Sequence, residues 1–106
     1  MTDLLSLADV THETFSPAVK QNFTVRWPDV TEDLVLTEVK IGRMDDDPRR
    51  KRVPFSLLFL GTTPNLTLNQ MIHPMENPAL GAMEIFITPL GPDSDSGLMV
   101  YQACFN

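Results

Sequence analysis

Residues 53–61 read Val53-Pro54-Phe55-Ser56-Leu57-Leu58-Phe59-Leu60-Gly61, directly after the charged run Asp45-Asp46-Asp47-Pro48-Arg49-Arg50-Lys51-Arg52. Apart from Ser56 the segment is apolar on both parities. That pattern predicts a strand covered on both faces, at the centre of a sheet or in the wall of a small barrel. Pro54 falls at the strand start, where a missing N–H is tolerated. The preceding run is too charged to bury, so residues 42–52 are expected to form a charged, mobile loop.

Strand patterns continue on both sides of this segment. Phe23, Val25 and Trp27 alternate with Thr24 and Arg26; Leu34, Leu36 and Glu38 alternate with Val35, Thr37 and Val39 as far as Ile41. Both periods of two suit half-buried strands within residues 21–41. Downstream, Gln70–His73 reads as a short strand and as an edge open to strand addition. Met83, Ile85 and Ile87 then alternate with Glu84, Phe86 and Thr88, and Met99, Tyr101, Ala103 and Phe105 with Val100, Gln102 and Cys104. Turn clusters at Gly61–Asn65, Asn77–Gly81 and Gly91–Gly97 separate them. In residues 1–20, Leu4, Leu5, Leu7, Ala8 and Val10 suit an apolar helical stripe, and Thr11 suits an N-cap. The predicted fold is mainly β: about six antiparallel strands as a small barrel or sandwich, with a short N-terminal helical segment, in one domain spanning residues 1–106.

Composition restricts function more than it defines it. The net charge is −6, and all eight basic residues lie between Lys20 and Arg52. From Val53 onward there are four acids (Glu76, Glu84, Asp93, Asp95) and no Lys or Arg. Half the chain thus offers no cation to a phosphate, which argues against nucleic acid as a partner. No apolar run approaches the ~20 residues needed to span a bilayer as a helix, so no membrane partner is expected. The single cysteine, Cys104, allows no internal disulfide, and the start has no basic, then apolar, leader pattern; both fit a cytoplasmic location.

No catalytic constellation is visible. His12 and His73 are isolated and Cys104 has no CxxC partner, so neither a metal nor another cofactor is expected. Asp45-Asp46-Asp47 lacks the alternating spacing of a calcium loop. Ser56 has no Gly-x-Ser-x-Gly elbow. Cys104 reads as a small core residue rather than a nucleophile. Glu76 and Glu84 flank one hairpin, but opposed like charges are unfavourable, so an exposed, splayed pair is expected. Of the methionines, Met71, Met75, Met83 and Met99 fall in the last strands and read mainly as core padding. The one concentrated positive site is Arg49, Arg50, Lys51 and Arg52, a candidate contact for an anionic partner.

Several segments carry a resemblance to a family. They are Val53–Phe59 with Gly61, then His73-Pro74-Met75-Glu76-Asn77-Pro78-Ala79-Leu80-Gly81, then Glu84–Asp93, and the ending Tyr101-Gln102-Ala103-Cys104-Phe105-Asn106. Together they resemble a small bacterial domain family of unknown function, some of whose members are associated with phage-tail-like or tail-collar proteins. The resemblance covers residues 53–106 closely, covers residues 1–41 only as a pattern, and brings no catalytic motif. It implies a stand-alone structural or interaction domain. With the charge pattern, this gives a non-enzymatic β domain that binds a protein partner as a structural accessory. The alternative is a small-molecule binder or cryptic enzyme with a pocket at the barrel mouth lined by Trp27, Tyr101 and Met99.

Overall fold

The computed structural model describes residues 4–43, 48 and 52–106. Six strands form the fold: β1 (Asn22–Arg26), β2 (Thr31–Ile41), β3 (Phe55–Gly61), β4 (Met71–Asn77), β5 (Gly81–Pro92) and β6 (Met99–Phe105). They close into a barrel in the order β1-β2-β3-β6-β5-β4, every neighbour antiparallel. Between the two predicted architectures, barrel and sandwich, the barrel is correct.

β3 is a wall strand, paired with β2 on one side and β6 on the other. Phe55, Leu57 and Phe59 are buried in the lumen, while Ser56, Leu58 and Leu60 are half-buried outside. The interior is solid. Phe23 meets Phe59 edge-on across it, with centroids 5.2 Å apart, and Leu34, Leu36, Met75, Met83, Ile85, Ile87, Tyr101 and Ala103 fill the rest. Met75 and Met83 face each other in register, as core padding requires. Met71, by contrast, is 39% exposed at the mouth.

Two departures from simple alternation shape the barrel. β2 carries a bulge between Leu36 and Glu38, so Thr37 is inserted and the phase flips. Glu38 turns outward and Val39 packs against the core, the reverse of the sequence expectation. β5 is long enough to serve two partners: Gly81–Ile87 pairs with β4, and Thr88–Pro92 pairs with β6. Such staggering is how a small sheet closes on itself.

The weakest backbone seam lies between β1 and β4, with two register pairs, Thr24 to Glu76 and Val25 to Met75. Side chains reinforce it along its length. Buried Asn77 donates to the Asn22 carbonyl at 3.0 Å and to Gln21 Oε1 at 3.2 Å. Its Oδ1 accepts the N–H groups of Ala79 and Leu80, fixing the turn into β5. Arg26 pairs with Glu76 at 3.1 Å, and Trp27 bonds His73. Of the predicted edge Gln70–His73, residues Met71–His73 pair with β5 and lie beyond the register shared with β1.

The helical content is shorter than predicted. An α-turn (α1, His12–Phe15) runs into a 3₁₀ turn at Ser16–Ala18, and Leu4–Val10 is not helical. A two-turn stripe is too short to nucleate by itself. Its backbone is instead claimed by the barrel: Leu5 N–H donates to the Ala82 carbonyl at 2.8 Å. α1 begins after Thr11 as predicted, with Thr11 N–H donating to Thr14 Oγ1. It presents Phe15, fully buried, to Phe23, Phe55 and Phe105, and so plugs the barrel end where β3 begins. No described helix is long and apolar enough to cross a membrane.

Candidate functional site

Three places could carry function: the basic run, the mouth of the barrel away from the plug and the barrel's outer wall. Arg49, Arg50 and Lys51 lie outside the described residues, as do Asp45, Asp46 and Asp47. Arg52 is described, and its guanidinium is used within the fold. Nη1 donates to the carbonyls of Leu7 (2.8 Å) and Val10 (2.6 Å), and Nε to that of Asn106 (3.1 Å). Its guanidinium carbon sits 5.7 Å from the centroids of both Phe55 and Phe105, themselves stacked 4.7 Å apart. Cation–π contact and charge-assisted bonds to backbone thus hold this arginine beneath the plugged end.

At the opposite mouth, the lumen ends in a ring of inward polar groups. Glu32, 2% exposed, accepts the N–H groups of Thr62 and Thr63 through Oε2 and the Thr63 hydroxyl, at 2.6 Å, through Oε1. The Thr62 hydroxyl makes its shorter bond to the Asp33 carbonyl. Trp27 Nε1–H donates to His73 Nδ1 at 2.9 Å. An indole only donates, so Nδ1 is the acceptor and Nε2 carries the proton toward the Asn69 carbonyl, 2.8 Å away. Tyr101 Oη accepts Leu68 N–H at 2.8 Å. No buried side-chain polar atom among the described residues lacks a partner. Nor do the described residues contain a cluster of three His, Cys, Asp or Glu suited to a metal.

A groove of about 290 Å³ opens at this mouth, lined by Trp27, Val30, Leu66, Leu68, Met71 and His73 among others. Trp27 is therefore at the mouth as expected. Tyr101 is not: it is fully buried, with Leu68 N–H bonded to its oxygen. Met99 packs against the core and does not line the groove.

Burial pushes the Tyr101 phenol above its ordinary range, and the Glu32 charge adds to this against the opposing Leu68 hydrogen bond. With its pKa raised in the folded state, the neutral phenol contributes stability that is complete below the unfolded pKa of about 10 and is lost as pH rises past it. Tyr101→Phe is expected to abolish that alkaline loss, and to cost about 1–3 kcal/mol at neutral pH by leaving Leu68 N–H unpaired. Tyr101 is the only tyrosine, so its titration is read directly by ultraviolet absorbance beside urea melts at several pH values. An alkaline decline equal in both proteins overturns the assignment.

The outer wall of β4 and β5 is different in kind. Ile72 and Phe86 stand directly opposite each other in the ladder, and they are 54% and 50% exposed. Leu90, the residue added by the bulge between Pro89 and Gly91, is 53% exposed. Pro74 and Glu84 form the next outward pair, with Glu84 exposed. Glu76 and Glu84 are both exposed, as expected; they stand diagonally rather than directly opposite, Glu76 facing Ala82 in the ladder and bonding Arg26. Cys104, expected in the core, lies exposed on the outside of β6, because its parity is opposite to that of Ala103 and Phe105. The sequence already set Phe86 among the outward residues of its strand, and an aromatic among polar positions was the available signal.

These features define a small antiparallel barrel domain, plugged at one end, sealed by a polar ring at the other, with apolar side chains on its outer wall. Residues 10–105 match the family model described as Domain of unknown function (DUF6916), and the chain belongs to that family. No curated protein and no solved structure matches the chain.

Proposed function

We propose that this chain is a non-enzymatic interaction domain that docks a protein partner on the outer face of β4 and β5. The observation that carries the reading is the Ile72–Phe86 pair, two large apolar side chains in register and half in water. Exposed apolar side chains grouped on one wall favour a contact surface, since such patches are disfavoured on a free monomer. The filled lumen and the fully engaged polar ring support the same reading over catalysis. The resemblance of residues 53–106 to a family some of whose members are associated with phage-tail-like proteins favours a role as a structural accessory of such an assembly. The competing role, a small-molecule site, has the mouth groove in its favour.

Pull-down from the source cells tests this. Phe86→Asp is expected to lose the partner held by the unaltered chain, while its stability stays within about 1 kcal/mol because the site is at the surface. Retention of the same partner by Phe86→Asp overturns the reading. So does a small molecule that raises the melting temperature of both proteins and is displaced by Trp27→Ala.

A further inference from the structure

We infer that the partner's docking surface is a protein surface carrying an apolar side chain flanked by Lys or Arg, with Glu84 as its ionic counterpart. The inference rests on the reading of the β4–β5 face as a docking site and adds the chemistry of what docks there.

Charge on this face is unbalanced in a specific way. Ile72 and Phe86 form its centre, and Glu84 lies two residues along β5 on the same side. Glu84 is opposite Pro74, which has no N–H to offer it, and it takes part in no ion pair or hydrogen bond among the described residues. The other three acids of the C-terminal half are differently placed. Glu76 is engaged by Arg26. Asp93 accepts the Ser96 N–H and hydroxyl and the Asp95 N–H within its own turn, which also contains Asp95. No Lys or Arg follows Arg52, so this half of the chain cannot neutralise Glu84 with a cation of its own.

A partner that covers Phe86 also strips water from Glu84. A carboxylate dehydrated without a counter-charge is strongly disfavoured, so a matching partner must supply one. Arginine does this best, because its fork binds a carboxylate through two hydrogen bonds. The same reasoning disfavours the other occupants. Two copies joined through this face would find no Lys or Arg among residues 53–106 of either copy to meet Glu84. An anionic membrane or a nucleic acid would repel the carboxylate.

The experiment uses the full chain and a displayed peptide library. The peptides have alternating Leu and Phe at fixed positions, with Lys, Glu or Ser drawn equally at the positions between them. Panning is run on the unaltered chain, on Glu84→Gln and on Phe86→Ser, with sedimentation of each protein alone. Clones that depend on Phe86 are expected to carry Lys over Glu by about tenfold on the unaltered chain, falling to about twofold on Glu84→Gln. Phe86-dependent clones with no Lys excess overturn the partner chemistry and leave the face intact. A panning that yields no Phe86-dependent clone overturns both. Self-association that Phe86→Ser dissolves assigns the face to a second copy and overturns the inference.

Discussion

A chain ending at Val100 is expected to show no cooperative thermal transition. β6 stands between β3 and β5, holding six register pairs with the first and four with the second. Its loss turns a closed wall into a sheet with two bare edges, which invites aggregation. It also removes Tyr101, Ala103 and Phe105 from the core and takes the Asn106 carbonyl from Arg52. Losing one large aromatic alone costs about 3–5 kcal/mol, and a whole domain of this size has only about 5–15 kcal/mol in hand. Circular dichroism during heating checks this: a sharp transition at the temperature of the full chain contradicts the assignment of β6 as an interior strand of the barrel.

Phe15→Ala is expected to cost about 3–5 kcal/mol, although it lies outside the sheet. Phe15 is the buried residue of α1, and its ring lies 5.6 Å from Phe105, 6.0 Å from Phe55 and 6.4 Å from Phe23, centroid to centroid. Alanine there leaves a cavity against three aromatic rings at the barrel end. The short helix cannot shift to fill it, since the cavity is wider than one methyl and Arg52 ties down the preceding backbone at Leu7 and Val10. Urea denaturation measures the loss. A change below about 1 kcal/mol means that the helix rests on the barrel without plugging it.

The fold was legible where side-chain parity was clean. Met83, Ile85 and Ile87 point inward as their alternation predicts, as do Tyr101, Ala103 and Phe105. The double-sided apolar pattern of Phe55–Leu60 marked β3 as a strand with two neighbours. Parity was misleading at Val39, because a bulge changes phase without a glycine to announce it. At Cys104 parity holds against the core expectation, since its outward position follows from the same alternation that buries its neighbours. The Leu4–Val10 stripe misled for a different reason: helical spacing over two turns is too weak to outweigh hydrogen bonds offered by a finished barrel.

Less of the candidate site was legible. Glu32, Asn77 and the Trp27–His73 bond join residues distant in sequence, and their roles depend on barrel closure bringing them together. An inward glutamate reads as an outward one until the Thr62–Thr63 turn arrives to hold it. The apolar outer face needed the pairing of β4 with β5, since Ile72 and Phe86 meet only in that register. The asymmetry of charge, however, was visible in the sequence, and it is what distinguishes the partner now inferred from a membrane or a nucleic acid.

Arg52 also mechanically couples the segments that enter and leave the barrel. A single guanidinium holds carbonyls from both the incoming and the outgoing segments, Leu7 and Val10 on one side and Asn106 on the other. Entry and exit of the barrel therefore lie within the reach of one side chain. Tension applied from the leading end therefore meets the Leu5 N–H bond to Ala82 first and this clasp next, with the exit segment held by the same guanidinium.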